Sequence, residues 1–218
     1  MTAPKLSIQV VVSDIFAENA YIASLEGRDD CVIFDPGINP DKIIAAVEKI
    51  ERIPSAILNT HGHSDHIAGN EAMKAKWGHA PLVIGHGDAH KLTDPVENLS
   101  AQYGTPIVSP AADETVKEGD VYSTAGFELE VLETPGHSIG HVVFVWRGGP
   151  QVIVFGGDVL FRQGIGRTDF PDGSMEDLAI SIRTKLYTLP DDTIVLTGHG
   201  EPTEIGFEKE HNPFVRAE

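Results

Sequence analysis

The chain reads as an α/β protein made of two similar halves, each a sheet with helices outside. Two observations predict this. Short apolar or alternating runs, bounded by Gly, Pro and Asp, recur along the chain and are interleaved with segments whose apolar residues fall at helical spacing. The order strands, helix, strand, helix in the first part returns as strands, helix, strand in the second, with no tandem repeat, low-complexity tract or linker between them. The expected organisation is one domain over residues 1–218.

Leu6 to Val12, Ala20 to Leu25 and Cys31 to Phe34 predict a three-stranded opening meander, closed by Asp35-Pro36-Gly37. Asp41 to Arg52 carries Ile43, Ile44, Val47 and Ile50 as a helical stripe. Ser55 to Thr60 reads as a short buried strand, and Asp65 to Trp77 as a helix with Ser64 or Asp65 available as its cap. Pro81 to Ile84 is another short strand. Gly85 to Pro110 is the least regular stretch and is long enough to form a substrate-side flap. Its His86 and His90 could share a helix face, but they read as residues of a surface helix and loop. Phe127 to Glu133 alternates, with Phe127, Leu129 and Val131 on one face. His141 to Trp146 and Val152 to Phe155 are buried strands joined by a Gly-Gly-Pro turn. Met175 to Leu186 is helical, capped by Ser174, and Thr193 to Leu196 is the last strand.

The 33 acidic and 16 basic residues give a formal charge of -17. That balance argues against nucleic acid or an anionic membrane as partner, because a phosphate surface is held by a basic one. Cys31, the single cysteine, lies in an apolar run, so no intrachain disulfide forms and the thiol reads as core. The stretch from Met1 to Lys5 lacks a signal-peptide apolar core, and runs such as Val142 to Trp146 are too short to span a bilayer, so a cytoplasmic location is expected. Asn98-Leu99-Ser100 matches a glycosylation acceptor and reads as chance.

The chemistry concentrates in Thr60-His61-Gly62-His63-Ser64-Asp65-His66, at a strand-to-helix junction. A lone His is more often solvated or hydrogen-bonded than ligating. Three His and one Asp this close are different, since burying them without a cation costs about 1–3 kcal/mol for each unsatisfied group. If extension persists past Thr60, His61, His63 and Asp65 point into one cavity, and the turn into the helix aims His66 differently. Two metals follow from this, His61 and His63 on one, Asp65 and His66 on the other. Three later strands that read as buried each end in a Gly-flanked candidate: His137, Asp158 and His199. His137 then completes the first set and His199 the second, and the two oxygens of Asp158 can bridge both. Imidazole and carboxylate without thiolate suit zinc, and also iron or manganese.

With these motifs in order, the chain resembles the metallo-β-lactamase superfamily over nearly its whole length, through His-x-His-x-Asp-His at 61–66, His137, Asp158 and His199. The resemblance implies a four-layer αβ/βα sandwich with the metals at one edge of its two sheets. Thr134 to His141, Gly157 to Phe161, Gly164 to Phe170 and Gly198 to Gly200 are most similar to the glyoxalase II group, the hydroxyacylglutathione hydrolases. Arg167 matches the segment that supplies a basic substrate contact there. The group's helical glutathione-gripping domain has no counterpart in the residues after His199, so the short single-domain relatives are the better match. Glu208 to Phe214 resembles their terminal segment, with His211 expected to be structural.

The expected reaction is thioester hydrolysis, of S-lactoylglutathione or a related acylated thiol, by a hydroxide bridging two divalent metal ions and oriented by Asp65. The nearest rival is a persulfide dioxygenase, which resembles the same core but uses one iron on residues matching His61, His137 and Asp158. A β-lactamase is opposed by Asp158, the missing secretion signal and the Gly-Arg-Thr-Asp segment; a nuclease, by the acid excess. A non-catalytic metal-binding or electron-transfer module is the remaining class. Oxygen-reducing di-iron relatives carry a carboxylate where this chain has His63.

Overall fold

The computed structural model describes residues 4–217. Met1 to Ala3, part of the stretch read for a signal peptide, lie outside the described residues.

The first half forms a six-stranded sheet. The expected meander is present as β1 (Leu6–Val12), β2 (Asn19–Leu25) and β3 (Asp30–Phe34), paired antiparallel. Helix α1 (Pro40–Lys49) starts with Pro at its first position, where the missing N–H costs nothing, and buries Ile43 and Val47. It carries the chain to β4 (Ile53–Asn59), parallel to β3. The single helix expected over 65–77 is two: α2 (Ser64–Ile67) and α3 (Asn70–Lys76). The break falls at Gly69, whose N–H donates to Pro36 O at 2.7 Å. A Cβ there would lie 2.7 Å from Pro36 O and 2.8 Å from Gly37 O. The cap of α2 also differs from expectation. It is His63, with no side-chain cap bond, because that imidazole is turned inward. β5 (Leu82–Gly85) and β6 (Glu114–Val116) complete the sheet in parallel.

The second sheet has the order β14-β13-β10-β9-β8-β7. β7 (Val121–Thr124), β8 (Phe127–Glu133), β9 (Val142–Trp146) and β10 (Ile153–Gly157) run as an antiparallel meander. A small hairpin of β11 (Leu160–Phe161) and β12 (Gly164–Ile165) follows. Helix α4 (Met175–Ser181) is capped by Ser174 as expected, the Oγ accepting from Asp177 N at 3.2 Å. It continues as a π-helical turn, Ile182–Leu186. β13 (Ile194–Thr197) pairs parallel to β10, then β14 (Thr203–Glu204) and helix α5 (Ile205–His211) close the chain.

Three apolar clusters separate four layers. The central one lies between the sheets, where Phe34 of β3 stacks on Phe155 of β10 with ring centroids 3.6 Å apart. A second joins the first sheet to α1 and α3 through Ile43, Val47, Ile57 and Met73. The third joins the other sheet to α4 and α5 through Val145, Val154, Leu178, Ile182 and Ile205. The sheets are also pinned by polar bonds at one end. Asn19 Nδ2 donates to Thr197 O (3.0 Å) and Gly200 O (2.9 Å), and the Tyr21 hydroxyl donates to Thr197 O (2.8 Å). No helix among the described residues is long and apolar enough to cross a membrane.

Candidate metal centre

Strand ends from both sheets deliver the candidate ligands to one place. Past β4 the backbone does not stay extended as expected: it bends at Thr60 and His61, returns to extended geometry at His63 (φ -72°, ψ 148°) and then turns into α2. His61 and His63 therefore precede the helix, while Asp65 and His66 sit on its first turn. β8 leads to His137, β10 to Asp158 and β13 to His199. Glycine is required beside Asp158: Gly157 has φ +48°, and a Cβ there would overlap Thr60 Oγ1.

The donor atoms fall into three groups, each within 4.8 Å: His61, His63 and His137; His61, His66 and Asp158; Asp65, His66 and His199. Asp158 lies between the two imidazole sets. Its Oδ1 is 3.4 Å from His66 Nε2, and its Oδ2 is 3.5 Å from His137 Nε2 and 3.4 Å from His199 Nε2. The structure thus brings all seven residues together, but Asp65, in phase with His61 and His63 if the backbone stays extended, lies on α2 and groups with His66 and His199 instead.

Outer hydrogen bonds fix how the rings face. His137 Nδ1 donates to Arg167 O (2.8 Å), His199 Nδ1 to Phe16 O (3.0 Å) and His66 Nδ1 to Asp35 Oδ2 (3.1 Å). The Thr60 hydroxyl donates to Asp35 Oδ2 (2.7 Å), so its oxygen accepts from His61 Nδ1 (3.1 Å). In these four rings the inward atom is Nε2. His63 faces the other way round, with Nδ1 2.9 Å from His137 Nε2. This outer-partner arrangement is the one that holds metal-binding imidazoles.

The donor set fits divalent cations on an internal observation. His61 Nε2, His66 Nε2 and Asp158 Oδ1 are buried without a hydrogen-bond partner. Orphaned polar atoms converging on one point are costly unless a cation takes them.

The electrostatics divide the cluster. Burial holds His61 well below the ordinary imidazole range, helped by His66 and His63. Burial and neighbouring His137 do the same to His63, and burial lowers His137 against the pull of Asp158. These three are neutral at neutral pH and ready to ligate. For His66 burial acts downward but the Asp158 and Asp65 carboxylates outweigh it, and His199 is pushed up to about 10 by bonds to the same two carboxylates. Both carboxyls are held low in turn by His66 and His199, against burial. Cations entering this second group replace protons.

The cluster opens on a cavity of about 260 Å³ walled by Phe16, Leu99, Tyr103, Phe161, Ile165 and Phe170. Arg167 stands at its rim, exposed, with its guanidinium 4.5 Å from the Phe170 ring centre and bidentate to Asp169 at 2.9 Å. Its backbone carbonyl, not its charge, touches the ligand set. His86 and His90 are exposed and outside the groups, and His211 stacks on Phe207. Burial pushes the Cys31 thiol up to about 12, leaving it inert.

Four supporting residues were not singled out from sequence. Asp35 reads from sequence only as a strand end, yet it accepts from Thr60 N, Thr60 Oγ1 and His66 Nδ1. His141 Nε2 accepts from Asp158 N (3.1 Å), so its Nδ1 donates to Thr134 Oγ1 (2.8 Å). Asp88 accepts from Gly62 N (2.9 Å), Gly140 N (2.8 Å) and the Ser138 hydroxyl, tying a ligand loop of each sheet together. Buried Lys91 pairs with it at 3.2 Å and reaches Asp172.

A family model of the Metallo-beta-lactamase superfamily matches residues 14–199. The chain is 34% identical over 215 residues to hydroxyacylglutathione hydrolase GloC of Haemophilus influenzae, covering 97% of this chain and 99% of that one. It is 39% identical over 198 residues to the probable metallo-hydrolase YqgX of Bacillus subtilis, covering 90% and 92%. Among solved structures, BLEG-1 B3 metallo-beta-lactamase superposes with a TM-score of 0.91 at 36% identity, covering 96% of this chain and 99% of the other. TTHA1623 in a di-iron-bound form gives 0.81 at 33%, covering 95% and 100%. ETHE1 from Myxococcus xanthus gives 0.78 at 27%, covering 95% and 83%.

Proposed function

The chain belongs to the metallo-beta-lactamase superfamily, and from that premise we propose that it is a single-domain, dinuclear metal-dependent hydrolase of a small-molecule thioester. The observation that carries this reading is the pair of ligand groups sharing Asp158 and facing one cavity. The similarity to GloC supports the acylated-thiol class.

His61, His63 and His137 would hold one cation and Asp65, His66 and His199 the other, with Asp158 spanning both. When bound, the cations supply Lewis acidity and lower the pKa of a water towards neutrality. Zinc suits this donor set, and the di-iron neighbour keeps iron in view. Asp65 is partly exposed to the cavity, so its carboxylate can orient the attacking water and take its proton. The aromatic wall excludes bulk solvent from the carbonyl. Arg167, at the rim, meets an anionic part of the substrate. A thiolate leaves readily, its conjugate acid having a pKa near ~8.5, so no general acid is needed. None of the chain's own thiols competes as nucleophile, since Cys31 is buried.

The test is hydrolysis of S-lactoylglutathione by metal-replete protein, with His61→Ala as control. Turnover that the control loses supports the thioester reading. Absent turnover with both metals present removes S-lactoylglutathione as substrate. The similarity to ETHE1 fits a second reading, persulfide oxidation on one iron at His61, His137 and Asp158. Oxygen uptake with glutathione persulfide would then identify it, and hydrolysis of a β-lactam would point to the activity in the name of the BLEG-1 neighbour.

A further inference from the structure

Beside the metal cavity lies a second cavity, of about 230 Å³, that the mechanism does not use. Its walls are Ile15, Phe16, Ile38, Ala68, Tyr103 and Ile107, completed by two serines and a threonine. None of these residues is charged, in a chain whose net charge is -17. Phe16, Ser64 and Tyr103 line both cavities. Ser64 lies between the candidate ligands His63 and Asp65, so the apolar space begins beside the metal centre.

Three of the wall residues are large apolar side chains left open to solvent: Ile15 is 55% exposed, Phe16 48% and Tyr103 53%. Such a cluster marks a binding surface. Phe16 is also held at φ 67°, a left-handed conformation that is strained for a bulky residue. That conformation is paired with a ring contact, Phe16 to Tyr103 at 5.5 Å, and this aromatic pair borders both cavities.

We propose that this side cavity is the acyl subsite, taking an uncharged aliphatic acyl chain while the thioester carbonyl lies at the metal centre. The inference rests on the thioester reading and narrows it. Apolar area is buried only by a chain longer than lactoyl, and nothing in the cavity pairs with a charged acyl group. The thiol half, with any anionic group, is left to the outer cavity and Arg167.

The experiment compares hexanoyl and acetyl thioesters of N-acetylcysteamine, so that only the acyl chain changes. The wild type is expected to favour hexanoyl by at least about ten-fold in kcat/KM, as methylenes entering an apolar pocket do. Ala68→Phe, which fills the cavity, should remove that preference. Ile107→Phe fills it from the opposite wall and serves if the first variant fails to fold. A wild type without the preference, or a folded variant that keeps it, overturns the proposal. Calorimetric binding of hexanoate against acetate to the metal-replete protein gives a readout independent of turnover. Tighter hexanoate binding that Ala68→Phe abolishes, with no thioester hydrolysed, would retain the subsite and sink the hydrolase reading. Equal binding of the two acids would sink the subsite alone.

Discussion

Removing the Asp158 carboxylate takes away the oxygens that lie between the two imidazole sets, and removes one of the two counter-charges that His66 and His199 share. Asp158→Ala is therefore expected to abolish activity and lower bound metal together, as measured by elemental analysis alongside the assay. Full activity at unchanged metal content would contradict the assignment. Titration separates the two groups further. His66 and His199 have raised pKa values, so below them protons compete with the cation, whereas burial keeps His61, His63 and His137 neutral. Dialysis at successively lower pH should thus reduce the metal content from about two equivalents towards about one, the second group emptying first. Loss of both metals at the same pH would oppose this. In the metal-free protein His199 has the reverse sign. A folded pKa of about 10 means that its stabilising pairs are complete below the unfolded value near ~6.5 and are lost as pH rises through about 10. The seven candidate ligands were legible because six residues carry four of them and each remaining one ends a buried strand beside glycine. Asp35, Asp88 and His141 were not, because a bond from Asp35 to Thr60 spans 25 positions and leaves no periodic trace.

At the scale of elements, the chain breaks where apolar spacing is continuous. The apolar spacing of 65–77 is that of one helix, and spacing cannot register that the carbonyls of Pro36 and Gly37 press against Gly69. Gly69→Ala should strain that contact and cost about 1–3 kcal/mol, measured by urea unfolding. A change below a few tenths of a kcal/mol would show that the loop yields. The bend matters for the site, since it separates α2, which carries Asp65 and His66, from α3, which packs on the first sheet. The opening meander and β8 matched expectation because alternation over seven residues is a strong signal. β6, β7 and the β11-β12 hairpin passed unseen, being two to four residues each. So did β14 and α5.

Across the whole molecule, the ligands come from both sheets, so cations bound there act as cross-links between the halves. Each site loaded a thousand-fold above its Kd contributes about 4 kcal/mol. For a chain of this size about 2–4 °C accompanies each kcal/mol, so chelation should lower Tm by about 10 °C or more in differential scanning calorimetry. An unchanged Tm after verified metal removal would mean that the halves are held by their apolar clusters alone. The pinning of β2 to the end of β13 has a consequence in time. Asn19 and Thr197 are 178 residues apart, and His199 leaves the ribosome long after His66. At about 5–20 residues per second that interval is on the order of ten seconds. Throughout it, the nascent His61–His66 loop meets the surrounding pool of ions with only part of its final company, and β13, one of the last strands made, brings in the residue that completes the set.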